Sequence, residues 1–169
     1  WAHFNESQEM AIKILANDGI SETGKVALER EGFEVITTKV AQNQLVDYIN
    51  KHSIDALIVR SATQVRKDII DGCPTLKLIG RGGVGMDNID VAYAKSKQLH
   101  VINTPASSAN SVAELVFAHL FTGVRYLHDA NRNMPLEGDQ RFNELKKNYN
   151  NGAELRGKTL GIIGFGRSG

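Results

Sequence analysis

The sequence predicts an α/β protein whose main part is a flavodoxin-like, doubly wound sheet of five parallel strands. Short apolar runs alternate with amphipathic stretches five times between residues 11 and 105. The run at 56–59 is apolar at every position, as is typical of a strand that helices cover on both faces. The amphipathic stretches are long enough to form the helical crossovers that parallel strands require.

Each element follows from its own pattern and from the residues that bound it. The strands are predicted within AIKILAND, FEVITTK, ALIVR, LKLIGR and LHVINTP, in chain order. The first helix has Ser21 as its N-cap and Gly32 at its C-terminal end. Leu45, Tyr48 and Ile49 recur at helical spacing and predict the second helix. The third and fourth helices are predicted within VRKDIIDG and DNIDVAYAKSKQ.

The pattern changes after Pro105. A long helix is predicted from Ser111 to about Asn131, with Ser111 and Glu114 as a capping box. Its apolar face consists of Val112, Leu115, Val116, Leu120 and Val124. A polar excursion with one short helix follows, and Thr159–Gly164 is then predicted as a buried parallel strand. We expect that strand to be the first of a truncated Rossmann domain.

Composition and charge indicate an ordinary globular protein. The 169 residues are 41% hydrophobic and 23% charged, and the net charge is +1. This balance favours neither nucleic acid nor an anionic membrane as a partner, and no apolar run approaches the ~18 residues of a spanning helix. The single cysteine, Cys73, is expected to lie buried at a helix end, and the absence of a possible internal disulfide fits a cytoplasmic protein. Residues 1–10 are interpreted as an extension that precedes the fold.

Three predicted strands end on one rim of the sheet, where α/β proteins bind their ligands. Arg60 ends the third strand, the stretch Arg81 to Gly85 ends the fourth, and residues 103–105 end the fifth. The forked guanidinium of Arg60 suits a carboxylate or a phosphate, although an arginine in a surface ion pair fits the pattern equally well. The backbone N–H groups of Gly82 to Gly85 suit an oxyanion, or else belong to a plain strand-to-helix turn.

A second glycine-rich turn follows the last predicted strand. Gly164, Gly166 and Gly169 have the spacing of the dinucleotide fingerprint, in which glycines allow a tight turn and a close approach of the pyrophosphate. A glycine-rich turn that binds no nucleotide is the alternative. The helix that would hold the phosphate, and the acidic residue ~20 positions further on that would bind the ribose, are expected beyond Gly169.

Other polar residues receive structural interpretations. Asp87 and Asp90 are predicted to cap the helix that follows them. His100, His119 and His128 have no metal-ligand spacing with carboxylates or with the cysteine, so no metal site is predicted.

Three segments together resemble one enzyme family. They are VRSATQVRKDIID, LKLIGRGGVGMDNIDVAYAKSKQLHVINTPASSANSVAELV and LRGKTLGIIGFGR. Over residues 11–169 the chain is similar to the D-isomer-specific 2-hydroxyacid dehydrogenases, and the glycine loop that runs into Asp-Asn-Ile-Asp is a more specific match than the fingerprint. The resemblance implies a substrate-binding domain at 11–106, the incomplete start of an NAD-binding domain at 107–169, and an active site between the two domains.

The resemblance also implies roles for individual residues. Arg60, with Ser61 beside it, binds the acid or phosphate group of the substrate. The loop of Gly83, Val84 and Gly85 offers backbone amides to the substrate carboxylate, and Val84 also touches the nicotinamide side of NAD. The residues implied to line the NAD pyrophosphate are Gly164, Gly166, Arg167, Ser168 and Gly169. Members of the family usually have isoleucine where Ser168 stands.

The implied activity is the NAD-dependent conversion of a small phosphorylated hydroxy acid, 3-phospho-D-glycerate, to 3-phosphohydroxypyruvate in serine biosynthesis. The family's catalytic arginine, glutamate and histidine are expected further along than Gly169. No catalytic role is therefore assigned in this chain, which alone is expected to be inactive and to hold no NAD. The resemblance further implies a cytoplasmic homodimer that forms through the long helix and the C-terminal strand.

Two other interpretations stay open at this point. The first is a dehydrogenase for another D-2-hydroxy acid, such as glycerate or lactate, although Arg60 favours a phosphorylated acid. The second is a flavodoxin-like binding or interaction domain without enzymatic activity. An apolar strand that runs into the Gly164 turn is not expected at the end of such a module.

Overall fold

A computed structural model describes residues 11–167 of the chain; the predicted extension at 1–10, Ser168 and Gly169 lie outside this range. The protein contains a five-stranded, wholly parallel sheet with the strand order β2-β1-β3-β4-β5. The strands are β1 Lys13–Ala16, β2 Glu34–Ile36, β3 Ala56–Val59, β4 Leu78–Arg81 and β5 His100–Asn103. This is the flavodoxin-like order, and it confirms the predicted fold class.

One row of aligned side chains runs across the sheet and forms the centre of the core. Leu15 pairs with Ile36 on one side and with Leu57 on the other, and Leu57 in turn pairs with Ile79. Leu15, Leu57 and Ile79 are fully buried. Because these strands are covered on both faces, their nearly continuous apolar sequence is what a parallel sheet requires.

The crossover helices of this sheet lie close to their predicted positions. They are α1 Glu22–Arg30, α2 Leu45–His52, α3 Lys67–Gly72 and α4 Val91–Ser96, with a 3-10 turn at Gln42–Gln44 before α2. The Ser21 hydroxyl accepts a hydrogen bond from the Gly24 amide at 3.1 Å, which confirms the predicted N-cap. Gly32 has φ of +88° just after α1, a conformation that favours glycine.

Two further predictions for this region have different outcomes. Asp90 is the N-cap of α4 and accepts the Tyr93 amide at 3.2 Å, whereas Asp87 lies too early to cap the helix, so that part of the prediction is wrong. Cys73 is buried at the end of α3, as predicted. Burial, and then the nearby charge of Asp68, raise the pKa of the Cys73 thiol to about 11.

The chain divides into two compact units, Trp1–Pro105 and Ala106–Gly169. The second unit contains α5 Ala109–Val124 and α6 Leu127–Tyr149. The prediction of one long helix from Ser111 is wrong at both ends. The helix begins at Ala109, which leaves Ser111 inside it rather than at the cap, and it ends at Val124 because Tyr126 has φ of +54°.

Helix α6 replaces the predicted polar excursion with its single short helix. A straight helix of its 23 residues would be roughly 35 Å long. Instead, the rings of Tyr126 and Tyr149 lie 6.1 Å apart, and Asn133 donates a hydrogen bond to the Tyr149 hydroxyl at 3.1 Å. The helix therefore folds back on itself, and the bend lies at Arg141, whose φ and ψ are not helical. Arg141 pairs with Glu137 and Glu144 on either side of the bend.

The predicted strand at Thr159–Gly164 is not formed. Residues 158–167 have irregular backbone, and Leu160, Ile162 and Ile163 are exposed. A parallel strand needs neighbouring strands to accept and donate its backbone hydrogen bonds, and no strand lies in the described part of the second unit. Over residues 11–167, none of the helices combines the length and the apolar composition that crossing a membrane requires.

Candidate functional site

The carboxyl ends of β3, β4 and β5 bring together the loops that the sequence placed on one rim. The Gly82 amide donates to the Val59 carbonyl at 2.9 Å, and the Thr104 amide donates to the Gly83 carbonyl at 3.1 Å. The Asn103 side chain donates to the Val84 carbonyl at 2.7 Å. The glycine loop, Gly82–Gly85, is thus held by hydrogen bonds to the strands on both sides of it.

Asp18, two residues after the end of β1, fixes the start of the Arg60 loop. One of its carboxylate oxygens accepts the backbone amides of Arg60 at 2.7 Å and Thr63 at 3.0 Å. The other accepts the Thr63 hydroxyl at 2.7 Å. Partial burial raises the pKa of Asp18, but the hydrogen bonds from Thr63 and from the two amides, with the charge of Lys39, outweigh it and leave this pKa below its usual value. Asp18 therefore stays ionised at neutral pH.

Asn88 holds the same loop from the opposite side. Its side-chain amide donates to the carbonyls of Arg60 at 2.8 Å and Thr63 at 2.7 Å. The backbone carbonyl of Asn88 accepts the Val65 amide at 2.8 Å, next to an isolated parallel bridge between Val65 and Ile89. The backbone at Arg60 is therefore fixed through both its N–H and its C=O groups.

Thr63 connects this loop to a buried asparagine. The Asn17 side chain donates to the Thr63 hydroxyl at 2.8 Å and to the Val40 carbonyl at 3.2 Å, and it accepts the Val40 amide at 2.8 Å. Both side chains are almost fully buried. Sequence reasoning treated Asn17 and Asp18 only as turn residues and did not consider Asn88. The available signal was their position in the sequence, since Asn17 and Asp18 follow the first strand and Asn88 follows the glycine loop.

The Arg60 guanidinium itself is exposed, and it has no partner in the part of the chain that the structure describes. Within residues 11–167, no hydrogen bond or ion pair of its side chain is found. The surface ion pair that the sequence left open is therefore not observed in this range. A fixed backbone with an unpaired, forked cation at a ligand-binding rim is suited to an anion.

The glycines of the rim loop are not explained by backbone strain. None of Gly82, Gly83 and Gly85 has a positive φ. A Cβ on Gly82 would come no closer than 3.7 Å to the Arg60 side chain, and one on Gly85 no closer than 3.5 Å to Asp87; only Gly83 is tighter, at 3.3 Å from Arg81. Side chains at Gly82 and Gly85 would fit the protein. The amides of Gly82 and Gly83 already donate to the carbonyls of Val59 and Arg81, so within residues 11–167 the amides of Val84 and Gly85 are the ones left open to a ligand.

A shallow cavity of about 250 Å³ lies next to this loop. It is lined by Ser61, Gln64, Arg81, Asp87 and Asn88. Ser61 is exposed, as is Val84 in the glycine loop. The rim thus brings together the predicted residues Arg60, Ser61 and Gly83 to Gly85 in one unit.

The second glycine-rich turn belongs to the other unit. Gly164 has φ of +87°, and a Cβ on Gly161, Gly164 or Gly166 would have no neighbour within 4 Å. Arg167 is exposed. Ser168 and Gly169, predicted to line the same cofactor site, lie outside the described residues. Among residues 11–167 no group of three or more His, Cys, Asp and Glu side chains is arranged to hold a metal ion.

Residues 7–155 match the family described as D-isomer specific 2-hydroxyacid dehydrogenase, catalytic domain. The chain belongs to this family. Its members are NAD-dependent 2-hydroxyacid dehydrogenases, so the motifs that carried the resemblance in the sequence identified the family correctly.

Individual relatives differ in their named substrates. The chain is 40% identical to a hydroxypyruvate reductase from Thermotoga maritima, over 93% of this chain and 49% of the relative. It is 38% identical to a D-3-phosphoglycerate dehydrogenase from Methanocaldococcus jannaschii, over 94% of this chain and 29% of the relative. The chain thus spans half or less of the length of these relatives.

The fold is also similar to solved structures of whole dehydrogenases. One is an NAD-dependent formate dehydrogenase from Staphylococcus aureus in complex with NAD, with a TM-score of 0.65 and 27% identity. The match covers 94% of this chain and 50% of that one. The similarity supports the α/β architecture described above.

Proposed function

We propose that this chain supplies the substrate-binding part of an NAD-dependent dehydrogenase that converts 3-phospho-D-glycerate to 3-phosphohydroxypyruvate. One observation carries the proposal: the Arg60 guanidinium, unpaired among residues 11–167, stands on a backbone fixed by Asp18 and Asn88, beside the amides of Val84 and Gly85, which have no partner in that range. The arginine provides paired donors for a phosphate, and the loop provides N–H groups for a carboxylate. Several relatives at 32–38% identity are named D-3-phosphoglycerate dehydrogenase.

A second candidate is the reduction of hydroxypyruvate, in line with the name of the 40% identical relative. Hydroxypyruvate has a carboxylate but no phosphate, so it would leave one of the anion-binding features of the rim without a partner. The free Arg60 side chain therefore favours the phosphorylated acid.

The proposed cofactor is NAD, which accepts a hydride from C2 of the hydroxy acid. Gly164, Gly166, Arg167, Ser168 and Gly169 would hold its pyrophosphate, and Val84 would contact the nicotinamide. The left-handed backbone of Gly164 and the open space around Gly161 and Gly166 fit a phosphate that approaches the backbone closely. We expect the 169-residue chain alone to give no NADH with 3-phosphoglycerate, since no general base for the proton of the substrate hydroxyl is predicted among its residues.

We also propose a homodimer that forms through α5. Leu115, Val116, Phe117 and Phe121 on this helix are exposed, and none of its residues is buried. Leu120 and Val124, which the sequence placed on the same contact, are partly buried, so Phe117 and Phe121 are the better anchors. Light scattering should give a dimer mass for the chain and a monomer mass for Phe121→Asp, with Leu136→Asp on α6 as the control. A monomer mass for the unmodified chain would contradict this contact.

The substrate proposal is tested by calorimetric titration of the chain with 3-phosphoglycerate and with hydroxypyruvate. We expect tighter binding of 3-phosphoglycerate and a loss of that preference in Arg60→Gln. Arg30→Gln, at an exposed arginine of α1, is the matched control and should bind like the unmodified chain. Equal or tighter binding of hydroxypyruvate would favour the second candidate.

A further inference from the structure

Arg81, the last residue of β4, carries a cation whose partner is not found in the described chain. Its side chain is half-buried, and its Nε atom is buried with no hydrogen-bond partner among the described residues. Within residues 11–167 it forms no ion pair. Burial of a charged group is unfavourable unless it is paired, so half-buried arginines normally have a carboxylate or carbonyl partner. An unpaired one suggests that the partner is a ligand.

The Arg81 guanidinium lies directly against the glycine loop. A Cβ on Gly83 would lie 3.3 Å from Nε and 3.7 Å from Nη2, and one on Gly85 would lie 3.8 Å from Nη1. The guanidinium therefore lies along Gly83 to Gly85, the segment proposed to bind the substrate carboxylate. Arg60 lies at the other end of the loop, where its Cγ would be 3.7 Å from a Cβ on Gly82.

The cavity beside the loop has the polarity that a hydroxy acid requires. Arg81, Ser61 and Gln64 contribute donors to its lining. The side-chain carbonyl oxygen of Asn88, which also lines it, is buried and has no hydrogen-bond partner among residues 11–167. Asp87 is the one carboxylate among the five lining residues.

Arg66 approaches Asp87 at its backbone. The Arg66 side chain donates a hydrogen bond to the Asp87 backbone carbonyl at 2.7 Å. Three arginines, Arg60, Arg66 and Arg81, lie around this rim, against the single carboxylate of Asp87 in the cavity lining. The surface beside the loop therefore carries a net positive charge.

We propose that Arg81 is a further substrate-binding residue, which attracts the substrate carboxylate to the Gly82–Gly85 loop while Arg60 binds the phosphate. The inference rests on the proposed function and adds to it a division of the two anionic groups between two arginines. This division follows from position, because Arg81 runs along Gly83 and Gly85 whereas Arg60 adjoins Gly82 and is exposed. Selectivity for acids with two anionic groups would then be built into this unit alone.

The division is tested with three ligands that differ in their anionic groups. D-glycerate has only the carboxylate, glycerol 3-phosphate has only the phosphate, and 3-phosphoglycerate has both. In calorimetric titrations of the chain, Arg81→Gln should weaken binding of 3-phosphoglycerate and D-glycerate by roughly tenfold or more, as loss of a charged hydrogen bond predicts. Binding of glycerol 3-phosphate should be unchanged. Arg60→Gln should give the opposite pattern, and Arg81→Lys should retain part of the carboxylate binding.

The outcomes separate the two levels of the proposal. If 3-phosphoglycerate binds but Arg81→Gln weakens all three ligands equally, or none of them, the role of Arg81 is wrong and the proposed function stands. If the unmodified chain binds none of the three, the proposed function fails and the role of Arg81 with it. Thermal unfolding of each variant checks that it is folded. Arg81→Met, which has a similar shape without a buried donor, takes the place of Arg81→Gln if that variant does not fold.

Discussion

The two units of this chain differ in how they accommodate their apolar residues. In the first unit, Leu15, Leu57 and Ile79 lie in one row of a sheet whose helices cover them completely. In the second, Leu145 is the one buried apolar side chain of the described residues, while α5 and the segment at 158–167 expose large apolar groups. The first unit is thus stabilised by its own contacts. The second presents surfaces whose partners do not lie in its described part.

The largest contrast between the units is expected from one substitution made in both. Leu57→Ala removes a fully buried side chain from the centre of the sheet and should lower the free energy of unfolding by about 2–5 kcal/mol. Leu136→Ala is the matched control, since that side chain is 79% exposed on α6, and should change it by less than about 0.5 kcal/mol. Urea denaturation measures both. Equal losses would show that the second unit has a core like that of the first.

A smaller effect is expected at Asp18, which holds the Arg60 loop. Asp18→Asn replaces a carboxylate that accepts three hydrogen bonds and should cost about 1–3 kcal/mol of stability. The exposed Asp139 of α6 provides the control, Asp139→Asn, with little change expected. Denaturation at pH 7 compares the two.

The stabilisation by Asp18 should also depend on pH. Its pKa is lower in the folded than in the unfolded protein, so its contribution is complete above the ordinary aspartate pKa, near pH 4, and is lost as pH falls below that value. The difference in stability between the unmodified chain and Asp18→Asn should therefore be constant from pH 5 to 7, by the same pKa values, and shrink in stronger acid. A difference that grows on acidification would contradict this account of Asp18.

The smallest effect distinguishes two helix caps. Ser21→Ala removes the hydroxyl that accepts the Gly24 amide at the start of α1 and should cost about 1 kcal/mol. Ser108 occupies the corresponding position of α5 without a side-chain capping bond, so Ser108→Ala should cost almost nothing. Thermal unfolding followed by circular dichroism tests the pair, and a larger loss from Ser108→Ala would reverse the comparison.

The difference between the buried core of the first unit and the exposed apolar groups of the second explains how much of the fold the sequence could predict. Strand order and helix positions in the first unit followed from apolar runs and caps, because the core that satisfies those patterns is made of the same residues. At Thr159–Gly164 the apolar pattern predicted a strand, yet a strand also needs backbone partners, which a local pattern does not supply. Tyr126 ended the predicted long helix by adopting a left-handed conformation, which residues other than glycine rarely adopt.

The candidate site was predictable to a similar extent. Arg60 and the glycine loop stood out because they follow apolar strands at the rim where ligands bind. The roles of Asp18 and Asn88 depend on hydrogen bonds to residues 42 and 28 positions away from them in sequence. Such long-range contacts have no local signature. Arg81 was visible as part of the loop, but its lack of a partner is a property of the folded surroundings.

The central claim is that the first unit contains the anion-binding site, and NMR chemical-shift mapping tests it most directly. Addition of 3-phosphoglycerate to the ¹⁵N-labelled chain should shift the amides of Arg60, Gly82, Gly83 and Gly85. The same titration should leave the amides of α6 and of Gly164 to Arg167 unchanged. Shifts confined to the second unit, or no shifts at the rim loop at saturating ligand, would contradict the claim.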